Sequence, residues 1–459
     1  MKKAYGYIRN LCFVLAFCLL ICALPMSATE LGTTDESLAE SAPKTVKVVF
    51  AIEDIPQGAK IIDRDLEVRE VLAENLPDNT VEDIDELIYK YAARDIYAGE
   101  YVYKDQCSAG MVPKQNGEVL VKPISQCKKD YLVVTDYVKA NTGLEIEYYI
   151  QQLIDENPHS TIYFPAGEYV FGSPIATPAD AQYSVSILLD DGAVIKASDN
   201  WKSNGEWDAL ICLGGTHFRN DIQTVGSYYL LQGGVLDANN KTNGVSIEGG
   251  RESVVRNLCI KNAKIGINAR KATNNTSADC DFEDITIIGS GKLGSVGINN
   301  ISSDNTFTNI RIYDMQIGIS GNRGGHIKNI YVINTQPEKM YSGTVGIVGT
   351  GTFVSNCYVE NYETAYRNPI GELWDCTAAW TSDVCKKQIA FERTTGKKGN
   401  NCLTGCVAIF RDVEGAKIAF SSGEFTEHGA TIGVAFDESL VTDDSYKALT
   451  GDNKITWRE

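Results

Sequence analysis

Apolar and polar residues alternate in short runs along most of this chain, and between Gly244 and Thr377 the runs return in a fixed order. A Gly-Ile or Gly-Val pair opens each unit, and an Asn or Asp followed by an alternating apolar stretch completes it. The glycines are Gly244, Gly266, Gly297, Gly318 and Gly346, and the polar markers are Asn257, Asp284, Asn309, Asn329, Asn356 and Asp375. Successive members lie 19 to 31 residues apart. That interval is one coil of a stacked solenoid, whose repeats bury their apolar faces only against their neighbours. Alternation of period two within each unit predicts strands, so an all-β parallel helix of coils is expected. Glycine at a corner would supply positive φ or close coil contact, and asparagine at a tight bend would pair with its counterpart one coil away in an internal ladder.

A helical period precedes the coils. Leu144, Ile146, Tyr149, Ile150, Leu153 and Ile154 form a stripe between Gly143 and Asn157 that stops before Pro158. A helix here would cover the open edge of the first coil, where backbone groups lack partners. Thr161-Ile162-Tyr163-Phe164-Pro165-Ala166-Gly167-Glu168-Tyr169-Val170-Phe171 follows directly, and Gly233-Gly234-Val235-Leu236-Asp237-Ala238-Asn239 comes later. A capping helix, then Tyr-Phe-Pro-Ala-Gly-x-Tyr, then this Gly-Gly segment resemble pectin-lyase-like right-handed parallel β-helices over about 130 to 435. The resemblance implies a fold shared by polygalacturonase-like glycoside hydrolases, polysaccharide lyases and phage tailspikes. The helical domain is placed at 129–436, with 437–459 as a C-terminal cap or tail.

Upstream, Val46 to Ala51 alternates and runs into Glu53-Asp54-Ile55-Pro56-Gln57-Gly58, which is echoed by Ala93-Arg94-Asp95-Ile96-Tyr97-Ala98-Gly99. Between them lie a strand, Leu66-Glu67-Val68-Arg69-Glu70-Val71, and a short helix expected at Glu82 to Ile88. Short strands punctuated by Gly and Pro turns predict a compact all-β unit. The segment 45–107 resembles the SAF domain, a β-clip module related to type III antifreeze proteins. This resemblance implies a binding or assembly module, most often bacterial, with a cell-envelope protein as its partner. Residues 108–128, with Gly110, Pro113, Gly117 and Pro123, then form a linker or a further strand pair.

Charge and composition change the picture at the ends. Lys2 and Lys3 precede an apolar run from Leu11 to Leu24, followed by Ser27 and Ala28. This predicts a secretory signal peptide at 1–28 and a spacer at 29–44, hence a secreted or cell-surface protein; a retained anchor is the alternative. No later stretch is apolar for long enough to span a bilayer. A formal charge of -18 over 459 residues supplies no basic patch for phosphates and argues against nucleic acid. Three of 13 cysteines fall in the leader. Cys259, Cys280, Cys357 and Cys376 sit among strand residues and read as small inward hydrophobes. Cys402 with Cys406, and Cys107 with Cys127, flank loops and are the disulfide candidates.

Glycoside hydrolysis needs two carboxyl groups across one bond, and on a solenoid these fall at matching positions of adjacent coils. Asp281, Asp304 and His326, spaced by 23 and 22 residues and accompanied by Asp279, make such a column. Acids on two coils and a histidine on the next resemble the polygalacturonase-type arrangement. That family's Asp-Asp pair, Gly-His-Gly and Arg-x-Lys are missing: Asp304 stands between Ser303 and Asn305, and His326 follows Gly324-Gly325. Arg311 and Arg367 are the cations available for an acidic sugar. A lyase would instead use Arg or Lys as base, with Asp237, Asp279, Asp281 and Asp304 gathering Ca²⁺; no cofactor is expected otherwise. Tyr313, Tyr331, Tyr358 and Trp374, with Tyr228, Tyr229, Tyr362 and Trp380, would make sugar-stacking platforms if they share an outer face. The leading expectation is a protein that binds or structurally associates with a polysaccharide or envelope glycan. The alternative is a glycoside hydrolase or, less favoured, a lyase acting on an acidic polysaccharide.

Overall fold

The structure is a computed structural model that describes residues 44–421 and the strands at 431–433 and 454–456, with interruptions at 56, 58–60, 62–64, 74–75, 78, 88–89, 109–118, 123, 125–129, 178–183, 202–207, 215–225, 248–249, 270–278, 303, 322–324 and 393–400. The expected leader, most of the linker, most of the C-terminal tail and Cys127 lie outside the described residues.

Each coil contributes three short strands, and matching strands of successive coils pair in parallel, the arrangement of a right-handed parallel β-helix. The first sheet includes Asn243–Ile247, Ile265–Ala269, Val296–Asn300 and Ile317–Gly321. The second includes Val254–Arg256, Asp281–Glu283, Asn305–Thr308 and Gly325–Lys328. The third includes Cys259–Lys261, Thr286–Ile288, Arg311–Tyr313, Tyr331–Ile333 and Tyr358–Glu360. Two long strands, Val345–Ser355 and Thr364–Trp374, run through the corner between the first two sheets and belong to both.

Registered pairing stacks like on like. Val245, Ile267, Ile298, Ile319 and Ile347 form one inward column, and Ile260, Ile287, Ile312, Val332 and Val359 form another, all almost fully buried. Phe282 and Phe307 stack with ring centroids 4.6 Å apart. Burying these side chains is what holds a coil that has no hydrophobic face of its own to spare.

The six polar markers do form a ladder, with φ between 51° and 57° at the bend joining the second sheet to the third. Asn and Asp tolerate this left-handed conformation because their short polar side chains bond locally. The expected internal location is corrected: these side chains are partly or fully exposed, and Asn329 Nδ2 donates to Asn309 Oδ1 at 3.1 Å outside the coil. For the glycines the corner position and positive φ are corrected, since none of the five has positive φ and all lie within first-sheet strands, whereas the expected close coil contact holds. A Cβ on Gly297 would stand 2.5 Å from the Gly318 carbonyl and 2.7 Å from Ile312 Cγ2. Their smallness sets how closely the first sheet approaches the coils and the third sheet.

Directly after the ladder residues, Leu258, Ile285, Ile310 and Ile330 are succeeded in later coils by Cys357, Cys376 and Cys406, all buried. Cysteine thus replaces Ile as a core residue, as expected for Cys357 and Cys376; Cys280 is buried too, whereas Cys259 is half-buried on an outward column. Cys107 and Cys406 are free thiols, and the Cys402 side chain lies outside the described residues.

The predicted helix, α1 (Glu147–Glu156), buries Tyr149, Ile150, Leu153 and Ile154. Gln151 closes the sheet edge: its amide donates to the Ala176 carbonyl at 2.9 Å and accepts from the Ala176 amide at 2.8 Å. Among the described residues no helix is long and apolar enough to cross a membrane.

The N-terminal unit has its own core of Val49, Ala51, Ile55, Leu66, Val81, Ile96 and Val102. Its two echoed turns pair with each other, Ile55 with Ile96, and each Asp accepts a backbone amide of the other turn. Ala98 N donates to Asp54 at 2.8 Å and Gln57 N donates to Asp95 at 2.7 Å. The helix expected at Glu82 to Ile88 is a single 3-10 turn, Ile84–Glu86.

Candidate functional site

Because inward and outward side chains alternate, each strand of three residues presents two outward positions, and register links them into columns across coils. On the second sheet one column reads Val254, Asp281, Thr306, His326 and Phe353. Its neighbour reads Arg256, Glu283, Thr308, Lys328 and Ser355, with Trp374 one coil further. Asp281 and His326 therefore share a column, as the spacing predicts. Asp304 does not: Thr306 takes that place, and Asp304 lies two residues earlier in a left-handed conformation with φ 62°. Equal spacing in sequence misplaced it because the two connections leading into these strands differ in length. Asp279 also precedes its strand and is held by Arg251, whose Nε and Nη2 each lie 3.0 Å from its Oδ2.

On the third sheet Arg311, Tyr331 and Tyr358 occupy one outward column on three successive coils, with Tyr313 beside Arg311. Tyr331 is 47% exposed, and its ring centroid is 5.9 Å from that of Tyr358. Burial raises the Tyr358 hydroxyl to about 12, aided by its 2.8 Å bond to Glu360. Among the described residues Arg311 has no ion-pair partner.

Arg367 belongs to the first sheet, where it pairs with Glu392 and donates to Thr364 Oγ1 at 3.2 Å. Next to it, burial acts to raise the Glu363 carboxyl, but Lys387, the Gly343 amide and Arg367 more than offset this and hold it below its usual range. The residues expected to grip a substrate are thus spread over three sheets. The single aromatic face is corrected as well: Tyr229, Tyr362 and Trp380 are core residues, whereas Tyr228, Tyr331 and Trp374 are exposed.

The Ca²⁺ set is not assembled. Asp237 lies on the third sheet and accepts from Asn239 N and Asn262 Nδ2, away from Asp279, Asp281 and Asp304. Among the described residues no three acidic, His or Cys side chains converge as metal ligands. The residues that sequence reading overlooked are Glu283, Thr306, Thr308, Lys328 and Phe353. Period two from Asp281 and His326 points to Glu283 and Lys328, but the threonines and Phe353 need the register.

Residues 46–106 match the SAF domain family. In the structure this segment is followed by a capping helix, three parallel sheets and a bend ladder, the elements of a right-handed parallel β-helix. Comparison with curated protein sequences gave no match. Among solved structures the chain is similar to endo-xylogalacturonan hydrolase from Aspergillus tubingensis, at 12% identity and TM-score 0.44, over 72% of this chain and 100% of that one. PfbA, a surface adhesin of Streptococcus pneumoniae, is similar at 12% identity and TM-score 0.44, over 66% and 84%. An alginate lyase from Paenibacillus is similar at 12% identity and TM-score 0.42, over 62% and 99%.

Proposed function

We propose that this is an exported protein that associates with a polymeric glycan along the outward column Arg311, Tyr331 and Tyr358, with Tyr313 alongside. The supporting observation is the placement of these side chains on successive coils of one sheet, where the exposed Tyr331 and the half-buried Tyr358 stand beside a guanidinium that has no ion-pair partner among the described residues. Tyrosine rings pack against the apolar faces of sugars while their hydroxyls remain hydrogen-bonded, and Arg311 favours a glycan carrying carboxylate or sulfate. The fold itself does not choose between binding and catalysis, since one architecture hosts many functions.

The test is affinity electrophoresis and calorimetry of the full-length protein against neutral and acidic polysaccharides. Replacing Tyr331 and Tyr358 together by Ala should weaken binding by about tenfold or more. Arg311→Ala should weaken only the acidic glycans. Undiminished binding in the double variant would remove the column from the account.

A second reading, hydrolysis, is favoured by one observation. Asp281 and Glu283 both point outward from one strand, which sets two exposed carboxylates side by side on the same face, the pair that glycoside hydrolysis needs. Release of reducing ends, abolished by Asp281→Asn and Glu283→Gln and unaffected by Asp304→Asn, would establish it in place of simple association.

A further inference from the structure

The second sheet carries charges in an order that its own coils leave unpaired. Asp281 and Glu283 lie on one coil, Thr306 and Thr308 on the next, and His326 and Lys328 on the one after. The four ionisable side chains are exposed and have no ion-pair partner among the described residues. Two coils separate acid from base, about 9.6 Å, which is too far for direct pairing within the chain. Val254 precedes this set and Phe353, 46% exposed, follows it in the same column.

This order is self-complementary. A two-fold axis lying on the face, parallel to the strands and passing through Thr306 and Thr308, reverses the order of coils while preserving position along each strand. It sets Asp281 opposite His326 of a second copy, Glu283 opposite Lys328, Val254 opposite Phe353 and Arg256 opposite the neutral Ser355, each contact occurring twice. The threonines meet their own counterparts. Such reciprocity is what an isologous contact requires.

We propose that the second sheet is a homodimer interface, in which two copies associate face to face with their coil stacks antiparallel. The five coils from Val254 to Phe353 span only about 19 Å, so the contact belongs to the small, weak class and forms in a concentration-dependent way. Dimerisation leaves the third-sheet column of Arg311, Tyr331 and Tyr358 outside the contact and covers Asp281 and Glu283. It is therefore compatible with glycan association and opposed to hydrolysis at those carboxylates.

Sedimentation equilibrium of the full-length protein over a wide concentration range tests this. Wild type should show a monomer–dimer equilibrium that weakens as salt is raised. Glu283→Lys and Lys328→Glu should each weaken it by about tenfold or more, because each reversal turns two attractions into repulsions. The double reversal should restore dimerisation to within about threefold of wild type, and mixing the two single variants should produce a heterodimer. Both positions are exposed, and circular dichroism should show all variants folded. A wild type that stays monomeric at its highest soluble concentration would overturn the proposal. So would a dimer indifferent to the single reversals, or a double reversal and a mixture that both fail to recover association.

Discussion

At residue scale, two kinds of small polar or minimal side chain look alike in sequence and do opposite work. Asn309 matches its ladder neighbours in residue type because the bend needs φ of 57°, which costs most L-residues about 1–2 kcal/mol. Gly297 lies within a strand and is small because the next coil's carbonyl leaves no room. Asn309→Ala is therefore expected to lose about 1–2 kcal/mol of stability in urea unfolding, and Asn309→Gly appreciably less. Gly297→Ala should cost about 1–3 kcal/mol through overpacking. Equal losses for Asn309→Ala and Asn309→Gly would show that the side-chain bond, and not the bend, sets the cost. The bend was legible because Asn and Asp recur with one conformational habit; the glycines were not, since sequence cannot separate a need for positive φ from a need for space.

At element scale, the strands and the helix follow from period alone, and their edges depend on single side chains. Helix α1 shows its apolar stripe in the sequence, but the role of Gln151 appears only when its amide meets both backbone groups of Ala176. Gln151→Ala strands those groups at a buried edge and is expected to destabilise the protein by about 1–3 kcal/mol. Hydrogen exchange should show the Ala176 amide exposed before the amides of the central coils; unchanged protection would assign the edge to other partners. The column Asp281, Asp304 and His326 fails at this scale too. Its regular spacing was real, but the connection before each strand decides which residue enters register, so Thr306 displaced Asp304.

For the whole molecule, burial in the stacked core favours the neutral forms of the Cys280 thiol and the Tyr169 phenol. Burial raises the Cys280 thiol from 9.0 to about 12 and the Tyr169 hydroxyl from 10.0 to about 12. Between the ordinary and raised values the unfolded chain has lost these protons while the folded chain retains them, so stability falls as pH rises. The contribution is complete below about pH 9 and is lost progressively toward pH 12. Melting temperatures should therefore decline through this window, and Cys280→Ala should decline less steeply than wild type. Equal slopes would mean that Cys280 ionises without unfolding the coil.

The amino-acid sequence by itself determined the class of fold, because a coil that must bury an apolar column writes its period into every repeat. It also marked the bend ladder, the capping helix and the echoed turns of the SAF domain, each of which depends on local conformation. Tertiary structure alone decided which outward residues are neighbours, because that depends on register, and register depends on the length of every intervening connection. Asp281, Thr306 and His326 lie far apart along the chain and become one column only when the coils stack. The candidate surfaces were therefore visible as residues before folding, but not as surfaces.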